Sequence, residues 1–145
     1  MITIYLAGNT HELWREELKE MVFGGERDIS ELTFLEPFQS PEGRNFFPAV
    51  EGTSPLSPGE YTTRDLLFID KADLVFAYLH PYSEYSRHVG TSAEVGYARG
   101  LNKRIIIVDE FGEESFEFLK QMADVVFENL GKGATYLRML ALHWG

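Results

Sequence analysis

The segment Gly90-Thr91-Ser92-Ala93-Glu94-Val95-Gly96-Tyr97-Ala98 sets one carboxyl, Glu94, among small residues a short way after an apolar run that ends at Leu79. It opens a predicted helix and puts Glu94 in the first turn. A carboxylate there faces backbone N–H groups and the positive end of the helix dipole, so it is expected to be ionised at neutral pH. In that state it has the chemistry to attack a sugar's anomeric carbon or to stabilise an oxocarbenium ion. The same spacing has a plainer explanation. Thr91-x-x-Glu94 is a capping box, with Thr91 as N-cap and Glu94 reaching back to its amide. Spacing alone leaves both readings open. Gly90 and Gly96 leave the backbone bare for close approach by a ligand.

Breaking a glycosidic bond calls for a second carboxyl as proton donor. Asp65, in Arg64-Asp65-Leu66-Leu67, falls at the predicted start of the helix before the strand Leu74–Leu79, on the same sheet edge as Glu94. It reads equally well as a first-turn Asp favoured by the dipole. Asp70 and Asp73 lie at the other end of that helix and read as loop or capping residues. Tyr5, near the end of the first strand, is placed to offer a hydroxyl to a carboxylate, or is an ordinary strand aromatic. Gly8 closes the same strand and is a candidate substrate contact.

Positioning these side chains requires a regular scaffold, and the pattern supplies one. Ile2–Ala7, Leu32–Leu35, Leu74–Leu79, Arg104–Val108 and Val125–Phe127 read as strands. Predicted helices cover Glu12–Phe23, Thr63–Lys71, Thr91–Leu101, Glu114–Gln121 and Tyr136–Trp144. Strands apolar on both faces that alternate with helices imply a parallel sheet covered on both sides. The expected fold is a single doubly wound α/β domain, Rossmann- or flavodoxin-like, with five strands over residues 1–145. One stretch breaks the rhythm. From Pro37 to Tyr61 lie five of the six prolines, with Phe38, Phe46, Phe47 and Tyr61. A connection this long in a compact domain points to a substrate-covering loop or to a merely packed or mobile one. Phe46 and Phe47 are the residues expected to stack on an aromatic ligand.

Composition removes several function classes. The chain has no cysteine, which excludes disulfides and thiolate chemistry. Its net charge of −10 argues against binding a nucleic acid polymer, which needs a basic face. No apolar run has the length of a membrane span, and Met1 leads directly into a strand rather than a basic leader, so a cytoplasmic location is expected. There is no G-x-G-x-x-G after the first strand, no G-x-x-x-x-G-K-[ST] and no G-x-S-x-G, against dinucleotide, NTPase and hydrolase-elbow chemistry respectively. The histidines His11, His80, His88 and His143 show no metal-ligand spacing.

With those residues in view, the chain resembles the nucleoside 2-deoxyribosyltransferase-like family. The likeness rests on Ile4-Tyr5-Leu6-Ala7-Gly8, on Asp65-Leu66-x-x-Ile69-x-x-x-Asp73, and on Gly90 to Ala98 followed by Asn102-Lys103-Arg104. Their order and spacing hold over roughly residues 2 to 110. The resemblance implies Glu94 as nucleophile, Tyr5 as its hydroxyl partner and Asp65 as proton donor or base-holding group. It implies a nucleoside or nucleotide and a free base as partners, no cofactor or metal, and a homo-oligomer. The apolar tail Tyr136-Leu137-Met139-Leu140-Leu142-Trp144 would serve such an interface or pack on its own sheet. Where the transferases commonly carry an Asp six residues before the nucleophile, this chain has His88, preceded by Arg87. Related nucleoside 5′-monophosphate N-glycosidases use this stretch near the 5′-phosphate. Arg87 and His88 have the chemistry to bind a phosphate, and read equally as solvated loop residues.

Overall fold

The computed structural model describes residues 1–8, 13–24, 31–37, 58–79, 88–112 and 116–143. The apolar runs form strands β1 (Ile2–Gly8), β2 (Leu32–Leu35), β3 (Leu74–Leu79), β4 (Arg104–Asp109) and β5 (Val125–Phe127). Between them come helices α1 (Trp14–Phe23), α2 (Pro58–Lys71), α3 (Val89–Gly100), α4 (Glu117–Lys120) and, last, α5 (Leu130–His143). Among the described residues the strands make one sheet in the order β2-β1-β3-β4-β5, every pairing parallel. This is the flavodoxin-like order, in which the direction of winding reverses between β1 and β3. Ligands of such sheets bind beyond the strands' carboxyl ends at that reversal.

Side-chain alternation divides the core in two. Ile4, Leu6, Leu74, Phe76, Tyr78, Ile106 and Val108 face α1 and α5, where they meet Trp14, Leu18, Leu130 and Leu137. Tyr5, Ala7, Val75, Ala77, Leu79, Ile105 and Ile107 face α2, α3 and α4 and meet Phe68, Ile69, Val95 and Leu119. Tyr5 therefore lies on the face that α3 covers. The apolar tail packs on its own sheet through Leu137, with Tyr136 and Leu140 against the same core. Met139 and Leu142 remain exposed.

All five helices start at other residues than expected, and the differences at α2, α5 and α3 bear on packing or on the site. Helix α2 begins at Pro58, so positions 58–61 of the predicted loop are helical. Proline suits a first helical position, where its missing N–H has no intrahelical partner to lose. Residues 38–57, with Phe46 and Phe47, lie outside the described residues. Helix α5 begins at Leu130 rather than Tyr136. Gly131 and Gly133 weaken the helical signal there, yet Gly133 is required by packing. A Cβ on it would meet Phe76 at 2.8 Å and Val108 at 2.9 Å. The third difference, at α3, bears directly on Glu94. No helix among the described residues is long and apolar enough to cross a membrane.

Candidate active site

Helix α3 starts at Val89, with His88 as its N-cap residue in a left-handed conformation (φ 53°). Thr91 is thus the third helical residue, not the N-cap, and it is buried. Glu94 is the sixth, a full turn deeper than the first turn expected for it. The capping box does not form. The Tyr5 hydroxyl instead donates to Glu94 Oε2. Tyr5 is fully buried in the middle of β1, so the hydroxyl and the carboxylate meet between sheet and helix.

This placement also corrects the expected charge state. Burial drives the Glu94 carboxyl up to about 7. The Tyr5 hydrogen bond and the Arg15 guanidinium oppose that rise, and the charge of Asp65 adds to it. The dipole stabilisation expected from a first-turn position is lost because that effect fades beyond the terminal turn. Tyr5 itself is pushed well above the ordinary phenol value, by burial first and then by the charges of Glu94 and Asp65.

Asp65 stands in the middle of α2, not at its start, because the helix begins at Pro58. Burial raises its carboxyl to about 6, against the pull of Arg64 and, more weakly, of Arg15. Arg64 binds it closely, with Nη2 2.9 Å and Nε 3.0 Å from Oδ1. The structure therefore brings Tyr5, Asp65 and Glu94 into one electrostatic cluster from β1, α2 and α3. At the far end of α2, Asp73 accepts the backbone N–H of Thr3 and Asp70 accepts the Tyr97 hydroxyl, structural roles as expected.

Arg15 belongs to the same cluster and was not singled out by sequence. It sits in the first turn of α1 and is 3% exposed. β2 stops pairing at Tyr5↔Leu35 while β1 continues to Gly8. Carbonyls beyond that point need other donors. Arg15 Nη2 supplies them, 3.1 Å from both the Leu6 and Gly8 oxygens. Its guanidinium also lies 4.6 Å from the Trp14 ring centre. One signal was available: a cation in a helix's first turn opposes the dipole and needs a reason to be there. Below the end of β2, buried Glu36 is paired with Lys19 at 3.0 Å.

The other candidates separate into groups. Gly8 has a packing reason, since a Cβ there would sit 2.7 Å from the Trp14 ring. Gly90 has none among the described residues; a Cβ would find nothing within 4 Å. His88 is not a solvated loop residue. Its ring is buried edge-on to Phe111 and Phe116, with centres 5.9 and 6.0 Å away. Phe46, Phe47 and Arg87 lie outside the described residues.

A half-buried carboxylate held by a phenol, beside a second carboxyl with a raised proton affinity, supplies the two carboxyl groups that displacement at an anomeric carbon uses. Comparison with solved structures finds the same fold in two deoxyribosyltransferases and an N-glycosidase. The 2-deoxyribosyltransferase of Bacillus psychrosaccharolyticus is 25% identical, with a TM-score of 0.65 over 92% of this chain and 91% of that one. A 2-deoxyribosyltransferase from Leishmania mexicana, 18% identical, gives 0.60 over 99% of both chains. The CMP N-glycosidase BcmB of Clostridium botulinum, 17% identical, gives 0.56 over 94% and 98%. No protein-family pattern and no curated protein matches the chain by sequence. The structural neighbours and the three sequence motifs lead to the same family, and the five-stranded α/β fold is that of the deoxyribosyltransferases.

Proposed function

We propose that this protein is a nucleoside 2-deoxyribosyltransferase-like enzyme that cleaves and transfers the N-glycosidic bond of (deoxy)ribonucleosides with retention. The observation that carries this reading is the Tyr5–Glu94 hydrogen bond beside Asp65, on the face of the sheet where β1 and β3 adjoin. Glu94 attacks C1′ while the base departs with a proton from Asp65, leaving a glycosyl ester on Glu94. A second base, or water, then attacks C1′ from the other side, returns a proton to Asp65 and frees Glu94. Tyr5 holds the carboxylate in place and favours its ionised form. Gly90, beside open space among the described residues, and Thr91 are assigned to the substrate on the resemblance. Phe46 and Phe47 are assigned to the base and Arg87 to a 5′-phosphate, by residue type, whereas the His88 ring is buried against Phe111 and Phe116.

Three parallel incubations test the reading: a deoxynucleoside alone, the same with an added free base, and the corresponding 5′-monophosphate. Exchange of bases establishes the transferase. Free sugar phosphate from the monophosphate alone would identify a nucleoside 5′-monophosphate N-glycosidase using the same carboxyls. Saturable binding without any product would make the domain a nucleotide sensor and remove the catalytic assignment.

A further inference from the structure

Arg64 and Asp65 are consecutive on α2, and consecutive helical side chains do not normally face each other. Here they do. Nε and Nη2 of Arg64 both reach Asp65 Oδ1, at 3.0 and 2.9 Å, and Nη2 also donates to the carbonyl of Pro37, just past β2. The two side chains are only 10% and 16% exposed, so this is not a loose surface pair. An oxygen that already accepts two N–H groups from a cation is the poorer of the two sites for a proton.

We infer that Arg64 is a positioning residue for the acid: anchored on Pro37, it occupies Asp65 Oδ1 and so assigns the transferable proton to Oδ2. The inference rests on the proton-donor reading of Asp65 and names which of its oxygens does the work. In the first half-reaction the Oδ2 proton passes to the departing base nitrogen as C1′–N breaks and the Glu94–C1′ bond forms. In the second, the incoming base or water yields its proton to Oδ2 as the ester bond breaks, and both carboxyls regain their starting states. Among the described residues, the charged and titratable groups facing Asp65 are Arg64 on its own helix, Arg15 from α1, Tyr5 from β1 and Glu94 from α3. Arg64 is also the strongest influence opposing the rise caused by burial.

The test compares kcat/KM across 2-deoxyribosides with progressively better leaving groups: thymine, uracil, 5-fluorouracil and p-nitrophenol. An enzyme that protonates its leaving group shows little dependence on leaving-group basicity. General acid assistance is worth about 100- to 10,000-fold. Arg64→Gln is expected to lose about tenfold or more on thymine and uracil and little on p-nitrophenol, with Arg64→Lys following if the Gln variant does not fold. A uniform loss across the series would reduce Arg64 to a clasp between α2 and the end of β2, and overturn the inference. Failure of the wild type on every nucleoside would instead sink the proposed function. Carbon-13 titration of the Asp65 carboxyl then decides the Arg64 question without turnover. Removal of Arg64 should move its midpoint upward, and an unchanged midpoint overturns the inference.

Discussion

Tyr5 and Glu94, 89 positions apart in the chain, are joined by a hydrogen bond in which the phenol donates to the carboxylate. That bond favours the ionised carboxylate and opposes the effect of burial. Its loss in Tyr5→Phe should raise the Glu94 midpoint beyond about 7 and leave less nucleophile at neutral pH. Activity at pH 7 should fall below the parent's by about fivefold for a midpoint shift of about one unit, and that deficit should narrow as pH rises. Stability should change by only about 1 kcal/mol. Superimposable pH–rate profiles for the two proteins would remove Tyr5 from the site.

The carboxyl pair predicts a narrow bell-shaped pH dependence. In the proposed mechanism Glu94 must lose its proton, with a midpoint of about 7, while Asp65 must keep one, with a midpoint of about 6. Between those values the pair holds one proton, mostly on Glu94, and the reactive arrangement with the proton on Asp65 is the minority form in exchange with it. Activity should peak between pH 6 and 7 and decline on both sides. Asp65→Asn should abolish the alkaline decline that Asp65 causes. A wild-type rate still climbing above pH 8 would contradict the assignment.

Stability carries an independent signature of Glu94. Its folded midpoint, about 7, lies above its ordinary 4.5. Stability from this group is therefore complete below about pH 4.5 and is lost as pH rises through 7. Glu94→Gln should nearly match the parent at pH 4.5 and exceed it by about 3 kcal/mol at pH 8, at about 1.36 kcal/mol per unit of the rise from 4.5 to about 7. Its kcat should fall by several orders of magnitude. Thermal melts at both pH values decide this. A capping carboxylate would show the opposite sign at pH 8, because its loss would destabilise the helix.

The strands were legible because buried parallel strands are continuous apolar runs. β2, β3 and β5 match their predicted bounds residue for residue. The meeting of Tyr5, Asp65 and Glu94 was legible through the family motifs, whereas their local settings were not. Thr91-x-x-Glu94 has the spacing of a cap, but the turn that opens α3 is made by His88, a residue type outside the usual capping set. The contacts that distinguish Arg64 and Arg15 are tertiary, and at most the placing of Arg15 in a helix's first turn hints at them in the sequence. One bonds the carbonyl of Pro37, and the other fills carbonyls left by a short neighbouring strand.

Arg15 yields the fourth prediction. Arg15→Met keeps the apolar stem but removes the donors to the Leu6 and Gly8 carbonyls and the nearest cation on α1 to both carboxyls. Leaving those carbonyls unmet should cost about 2–4 kcal/mol, read by urea denaturation. Both carboxyl midpoints should rise, shifting the activity maximum to higher pH. A variant of parental stability and pH profile would show that Arg15 is dispensable to both.

The register of the sheet places the site on its longest-range seam. Ile2 pairs with Leu32 and Leu74 with Arg104, whereas Ile4 must find Leu74. Closing a longer loop costs more chain entropy, though only about 0.6 kcal/mol per doubling. Pairings between distant segments are also the slow ones. Tyr5 and Arg15 arrive with the β1–α1–β2 half, and Glu94 with the β3–α3–β4 half. Neither half alone holds Tyr5, Arg15 and Glu94 together. Under the proposed function, the return of activity during refolding should therefore report the joining of the two halves.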